Sequence, residues 1–354
     1  MADTPPTSLT AALDIPPSTD QFTTQLPTDI AFGAVSCGGY VACLMAKYAV
    51  RYAAQHETMR TQPDLRSALV QFYRPIIASK PAKIQLREVS VGKAWSILHV
   101  ETSQSGKVAA SADLWLSDFS LPGVSLHTGW HFTTRPVDLS RLEVDGDPDW
   151  TSYQPAFHWN GFRRAHSYVR NFIPTSWPTE IKFTEQWILP GWDCLPRGSC
   201  AMQKDKDKAR WTTEMIQFAI DMSLPVQDNF FPQTKPLPMC SVAATLEFAA
   251  AQRQARTQGK QNWRELELDG SREPTSEMIH ATLSMSTEVK KNLPPGGVRW
   301  LYLRSEVKRV VNGRIDLEIV LCDEAMDLVA ISQHMAQIIP VAQKWENSRQ
   351  DAKI

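Results

Sequence analysis

The chain has 354 residues, 43% hydrophobic and 21% charged, with a net charge of −1. That length sets one large domain or two ordinary ones. The near-neutral balance, with no basic arm or face, argues against nucleic-acid binding or docking on an anionic membrane.

Residues 1–28 are rich in Pro and Thr, show little apolar periodicity, and read as a mobile N-terminal arm or a wrapping segment. The N-terminus lacks the basic-then-apolar pattern of a secretory signal. Gly33 and Gly38-Gly39 then precede an apolar run that predicts a helix over 40–54, with Lys47 and Arg51 as its only polar stripe. Paired glycines let a helix start lie close against a neighbour. Neither GxGxxG nor GxxxxGK is present, so close packing rather than a phosphate nest is the expected role.

From Asp64 the pattern changes to strands, over 65–73, 83–91, 96–102 and 108–116. Val91-Gly92 and Ser105-Gly106 separate the later ones at hairpin spacing. One long helix followed by an antiparallel meander is an α+β unit, here over 29–120. Residues 121–150, rich in Pro, Asp and Gly, read as a linker.

The order then recurs over 151–340. A strand is expected over 181–189, a helix over 211–225, and strands over 280–289, 298–310, 314–321 and 326–338. Residues 240–276 interrupt the match as an insertion, with a helix over 243–256. Turn-to-turn spacing aligns Val108-Ala109-Ala110-Ser111 with Val329-Ala330-Ile331-Ser332. This points to an internal duplication. Residues 341–354 form a C-terminal tail.

Residues 215–225 are apolar nearly all the way round, at Met215, Ile216, Phe218, Ala219, Ile220, Met222 and Leu224. Such a helix is buried. Yet Asp221 sits in it, with Gln217 one turn earlier on the same stripe. A carboxylate there is costly unless paired, hydrogen-bonded or used. Two readings stand: a water-activating base, or a buried Asp tied to a backbone amide or an Arg. Pro225 ends the helix.

No apolar run approaches the length of a bilayer span. Cys37, Cys43, Cys194, Cys200, Cys240 and Cys322 form no CxxC and read as reduced thiols of an intracellular protein, with a Cys194–Cys200 pair as the lesser alternative. The histidines form no HExxH or HxH cluster, so neither a metal nor another cofactor is expected. The terminal Ala352-Lys353-Ile354 resembles a variant of the Ser-Lys-Leu address, which gives a cytoplasmic or peroxisomal expectation.

Two tandem units of this kind resemble the double hotdog of the type II, TesB-like acyl-CoA thioesterases, in the divergent thioesterase-like branch common in fungi. Phe32-Gly33 through Gly38-Gly39-Tyr40-Val41 is similar to that family's glycine-rich entry to the first central helix. Phe72-Tyr73-Arg74-Pro75 is similar to its Phe-Leu-Arg-Pro strand end. The resemblance implies an α+β tandem hotdog, two antiparallel sheets each wrapping a long central helix. It also implies a catalytic Asp, a Thr or Ser, and a Gln in the second half. Asp221-Met222-Ser223-Leu224-Pro225 matches the first motif, and Ala281-Thr282-Leu283 nominates Thr282.

The chain departs from the pattern at the third position. Counting six residues on from Leu328-Val329-Ala330 lands on His334, with Gln333 one short. Ala330, Ser332 and His334 share one face of the strand, so His334 takes the slot unless a bulge shifts the register. A His there would titrate near neutral pH. Backbone amides at Gly38, Gly39 and Tyr40 are the candidate substrate-binding groups.

The function so implied is hydrolysis of acyl-CoA thioesters to free acid and CoA by an activated water. No GxSxG elbow is present for an α/β-hydrolase route. A hotdog dehydratase, isomerase or cyclase on a polyketide- or terpenoid-like intermediate of fungal secondary metabolism is the alternative. A non-catalytic acyl-binding protein is a third. The partner is acyl-CoA or a related hydrophobic small molecule, with no nucleic acid, and the chain is a pseudo-dimeric monomer or a homo-oligomer.

Overall fold

The computed structural model describes residues 6–16, 20–195, 208–233, 237–238, 240–274 and 278–340. In chain order the elements are α1 (Leu9–Ala12), β1 (Gln21–Gln25), β2 (Ala31–Phe32), β3 (Val35–Ser36), α2 (Gly38–Gln55), β4 (Asp64–Phe72), β5 (Pro81–Val91), β6 (Trp95–Gln104) and β7 (Lys107–Ser117). After α3 (Leu139–Glu143) come β8 (Trp150–Tyr153), β9 (Val169–Pro174), β10 (Phe183–Pro190), α4 (Ile216–Asp221) and α5 (Val242–Thr257). The chain closes with β11 (Met278–Val289), β12 (Leu301–Val311), β13 (Arg314–Cys322) and β14 (Leu328–Pro340).

Twelve strands form one antiparallel sheet in the order β1-β5-β6-β7-β4-β11-β14-β13-β12-β10-β9-β8. The expectation of two separate sheets is therefore corrected. β4 and β11 pair from Ser284–Gln71 to Glu288–Ser67, so what would be two open edges saturate each other. The expected long second central helix is also corrected, since α4 has six residues. Upstream, Trp211 is held extended by a bridge to Val298, and Thr213–Met215 form a single 3₁₀ turn. Downstream, Pro225 forbids continuation.

Outward from the central β4–β11 pair the two halves read β4-β7-β6-β5-β1 and β11-β14-β13-β12-β10. In both, the chain runs strand, helix, then four strands. Two bulges recur as well. Arg66 of β4 and Leu283 of β11 each lack an opposite partner. So do Ala109 of β7 and Val329 of β14. The bulges set Ala109 against Val329, one residue away from the alignment that turn spacing gives. The β13–β14 connection is longer than the β6–β7 turn, and counting across it slips the frame.

On this register Leu65, Val70, Ala112 and Leu114 of the first half occupy the places of Thr282, Thr287, Ser332 and His334 of the second. The same inner sheet surface is apolar in one half and polar in the other.

α2 packs on β4, β6 and β7, and α4 packs on α2 and β13. α2 buries Tyr40 through Ala46, Tyr48, Ala49 and Ala53, and α4 is buried on every side except at Asp221. Residues 6–16 and 20–28 do not behave as a loose arm. Leu9, Leu13, Ile15 and Leu26 are buried in the main core and β1 pairs with β5, because their apolar side chains cover the open end of α2. No helix among the described residues is long and apolar enough to cross a membrane. Cys37, Cys43, Cys240 and Cys322 are free thiols, whereas Cys194 is disulfide-bonded, against the expectation of six reduced cysteines. The C-terminal tripeptide lies outside the described residues.

Candidate active site at the seam of two helices

The centre is the contact between α2 and α4. A Cβ added at Gly39 would lie 2.5 Å from Asp221 Cβ, 2.9 Å from the Gln217 carbonyl oxygen and 2.9 Å from Phe218 Cα. Only a glycine admits that approach. The first turn of a helix leaves its amides without intrahelical partners, and Cys37 at the N-cap of α2 makes no side-chain capping hydrogen bond. Asp221, from the other half of the chain, takes that role: Gly39 N donates to its Oδ2 at 2.7 Å. The Cys37 thiol donates to the same oxygen at 3.5 Å. In return the Cys43 sulfur of α2 accepts from Phe218 N at 3.1 Å. Each helix supplies the cap its partner lacks.

No Lys, Arg or His pairs with Asp221 among the described residues. Burial raises its pKa above the ordinary carboxylate value, and the Gly39 amide and Cys37 hydrogen bond only partly offset this. Burial likewise pushes the Cys43 thiol up to about 12 and Cys37 well above its usual value, so both stay protonated. An uncompensated carboxylate of raised pKa suits proton acceptance near neutral pH.

A chain of side chains runs from α4 across the sheet. Thr287 Oγ1 donates to Gln217 Oε1 at 2.9 Å and lies 2.8 Å from Ser332 Oγ, which lies 3.1 Å from His334 Nε2. All four residues are buried. One direction of donation satisfies the set: His334 Nε2–H to Ser332, Ser332 to Thr287, Thr287 to Gln217. It leaves the Gln217 Nε2 amide without a partner among the described residues. An unpaired buried donor costs about 1–3 kcal/mol. Burial pushes the His334 imidazole down to about 4, so it is neutral at pH 7 and the expected titration near neutrality does not occur.

The other expected residues fall as follows. Gln333 is exposed, paired across the sheet with Ser286 and Glu318, on the face away from the helices. Thr282 is half-buried opposite Ala336, on the inner face, one step along β14 from the His334–Met285 pair. That step is about 7 Å, and Thr282 makes no side-chain hydrogen bond among the described residues. Gly38 lies against both Phe72 and Asp221: a Cβ there would meet Phe72 Cζ at 3.3 Å and Asp221 Oδ2 at 3.6 Å. Phe72 ends β4 one step past the Ser284–Gln71 pair, so Asp221 sits near the level of the Leu283 bulge and Thr282. Gln217, a turn back, reaches Thr287. Tyr40 is structural through its side chain, because its ring is buried and its hydroxyl donates to Ala12 O at 2.8 Å.

Sequence reasoning passed over His280 and Asp228. His280 precedes Thr282 on the inner face of β11. Its Nε2 is 3.2 Å from Asp228 Oδ1, and Gln227 Nε2 donates to its Nδ1 at 3.1 Å. Burial raises the Asp228 pKa, partly offset by His280. A cavity of about 10 Å³, room for one water, lies behind the α4 C-terminus against Arg163, Asn171 and Cys240. A larger groove of about 450 Å³ opens at Arg66, Trp115 and Lys290, at the far end of β4 from Asp221.

The family model for the acyl-CoA thioesterase C-terminal domain matches residues 56–338. The thioesterase-like protein TwmA of Talaromyces wortmannii is 25% identical over 333 residues, covering 87% of this chain and 85% of that protein. A solved hot dog fold protein of Alicyclobacillus acidocaldarius, of unknown function, superposes with a TM-score of 0.59 at 13% identity, covering 94% of this chain and 98% of that one. The tesB protein of Mycobacterium avium subs. paratuberculosis does so with a TM-score of 0.56 at 13% identity, with the same coverage of 94% and 98%. These likenesses give the fold as a hotdog. With the family match spanning most of its length, the chain belongs to the acyl-CoA thioesterase C-terminal domain family and is an enzyme of the thioesterase-like hydrolase type.

Proposed function

We propose that the chain hydrolyses acyl-CoA thioesters to free acid and CoA on a tandem hotdog, with units at 29–120 and 151–340. The observation that carries this reading is Asp221, a half-buried carboxylate held by an amide and a thiol, with no cation beside it among the described residues and a pKa raised by desolvation. Asp221 takes a proton from a water as the water oxygen bonds to the thioester carbon. The tetrahedral adduct collapses with cleavage of the C–S bond. The proton on Asp221 passes to the departing thiolate, leaving CoA and the carboxylic acid. Thr282 and neutral His334 orient the water. Backbone amides of the first α2 turn, at Gly38 and Tyr40, face the developing oxyanion. Purified protein incubated with a series of acyl-CoAs and a thiol reagent should release CoA. Absence of release across chain lengths and branched acids defeats the reading.

The alternative chemistry, dehydration, isomerisation or cyclisation on a polyketide- or terpenoid-like intermediate, is favoured by one observation, the His280–Asp228 pair beside Thr282. A His with a carboxylate 3.2 Å behind it is an acid–base couple. Water loss from a β-hydroxyacyl thioester, abolished by His280→Ala while Asp221→Asn retains it, would establish that reading instead.

A further inference from the structure

Gln217 occupies a position that simple packing does not explain. It is 2% exposed in an otherwise apolar helix, one turn before Asp221 on the same stripe. Its carboxamide is held at one end. Oε1 is held by Thr287, Thr287 by Ser332, and Ser332 by His334, each within 3.1 Å. That chain reaches from α4 through β11 to β14 and holds a carboxamide whose Nε2 meets no acceptor among the described residues. A buried amide donor left unpaired in the resting protein is expensive, and a fold that merely needed filling here would use Leu or Met. The first half shows that alternative, with Val70, Ala112 and Leu114 in the places of the three relay residues.

No described residue offers Nε2 an acceptor, and one helical turn separates it from Asp221. In thioester hydrolysis the group that gains negative charge beside the water-activating base is the carbonyl oxygen. The α2 amide nearest to hand, Gly39 N, is already committed to Asp221. We infer that Gln217 is a further catalytic residue of this site, its Nε2 donating to the thioester carbonyl oxygen, with Thr287 and Ser332 as positioning residues. The inference rests on the thioesterase reading. Donation to an oxyanion is stronger than to the ground-state carbonyl, so its loss falls on kcat rather than KM.

The test uses the full chain and the acyl-CoA on which the wild type is fastest. Gln217→Glu keeps an acceptor for Thr287 and loses the donor when ionised. Its kcat should fall roughly 100-fold at pH 8 with KM within threefold. The ratio of variant to wild-type kcat should climb as the pH is lowered and the new carboxyl regains a proton to donate. Gln217→Met removes the polar group altogether. It should melt no lower than the wild type and lose activity to a similar degree. A wild type that turns over, with either variant folded and within threefold of its kcat, overturns the inference and leaves the thioesterase reading standing. A loss that tracks melting temperature and is the same at every pH marks Gln217 as structural and also overturns it. A wild type that releases no CoA sinks both.

Discussion

On the proposed mechanism Asp221 serves chemistry at some cost to folding, and the sign of that cost can be measured. Its folded pKa is raised by burial. Such a carboxyl contributes fully below its unfolded pKa, and the contribution is lost as pH rises through the folded value. Asp221→Asn should therefore gain melting temperature relative to the wild type on going from pH 4 to pH 8, while kcat drops on the order of 1000-fold. His334 runs the other way, since burial depresses it to about 4. Its contribution is present above the unfolded value near 6.5 and is lost as pH falls toward 4, by about 3 kcal/mol at most. His334→Gln should flatten the acid limb of a plot of urea midpoint against pH. Asp221 was legible in the sequence because a charge in an apolar run is conspicuous. The inward face of His334 followed from strand parity. Thr287 and Ser332 gave no such signal, as hydroxyl residues on strands are ordinary until a buried partner is found. His280 was invisible because its partner Asp228 lies on a distant turn.

At the scale of elements, the α2–α4 contact depends on one missing side chain. Gly39→Ala places a methyl within 2.5 Å of Asp221 Cβ and against the α4 backbone. The helices must part, at a cost of about 1–3 kcal/mol. Chemical denaturation would read that loss, and CoA release should fall more steeply than stability because the Gly39–Asp221 hydrogen bond goes with it. The long strands and α2 were readable from periodicity. The length of α4 was not, since its start is set by the bridge between Trp211 and Val298, a tertiary contact. Short strands such as β8 and β9 are buried almost throughout and carry no alternation to read.

Across the whole molecule the β4–β11 ladder makes the halves one folding unit. Ser286 pairs with Leu69 on one side and Gln333 on the other. Ser286→Pro removes a ladder donor in mid-sheet and should destabilise by about 3 kcal/mol or more. If the halves are coupled, tryptophan fluorescence and far-UV circular dichroism will lose their signals together in one transition. Two separated transitions would mean that they fold independently. The duplication was visible as a recurring order of elements. Its true register was not, because paired bulges and unequal loops shift it by a residue.

The apolar counterparts of the relay residues, Val70, Ala112 and Leu114, have a consequence for stoichiometry. A symmetric pair of identical subunits would carry a centre on each side of its axis, whereas this polypeptide has kept the ingredients on one side only. A tight transition-state mimic should therefore titrate a single equivalent per chain. On the proposed mechanism the N-terminal half is the scaffold that donates one glycine amide.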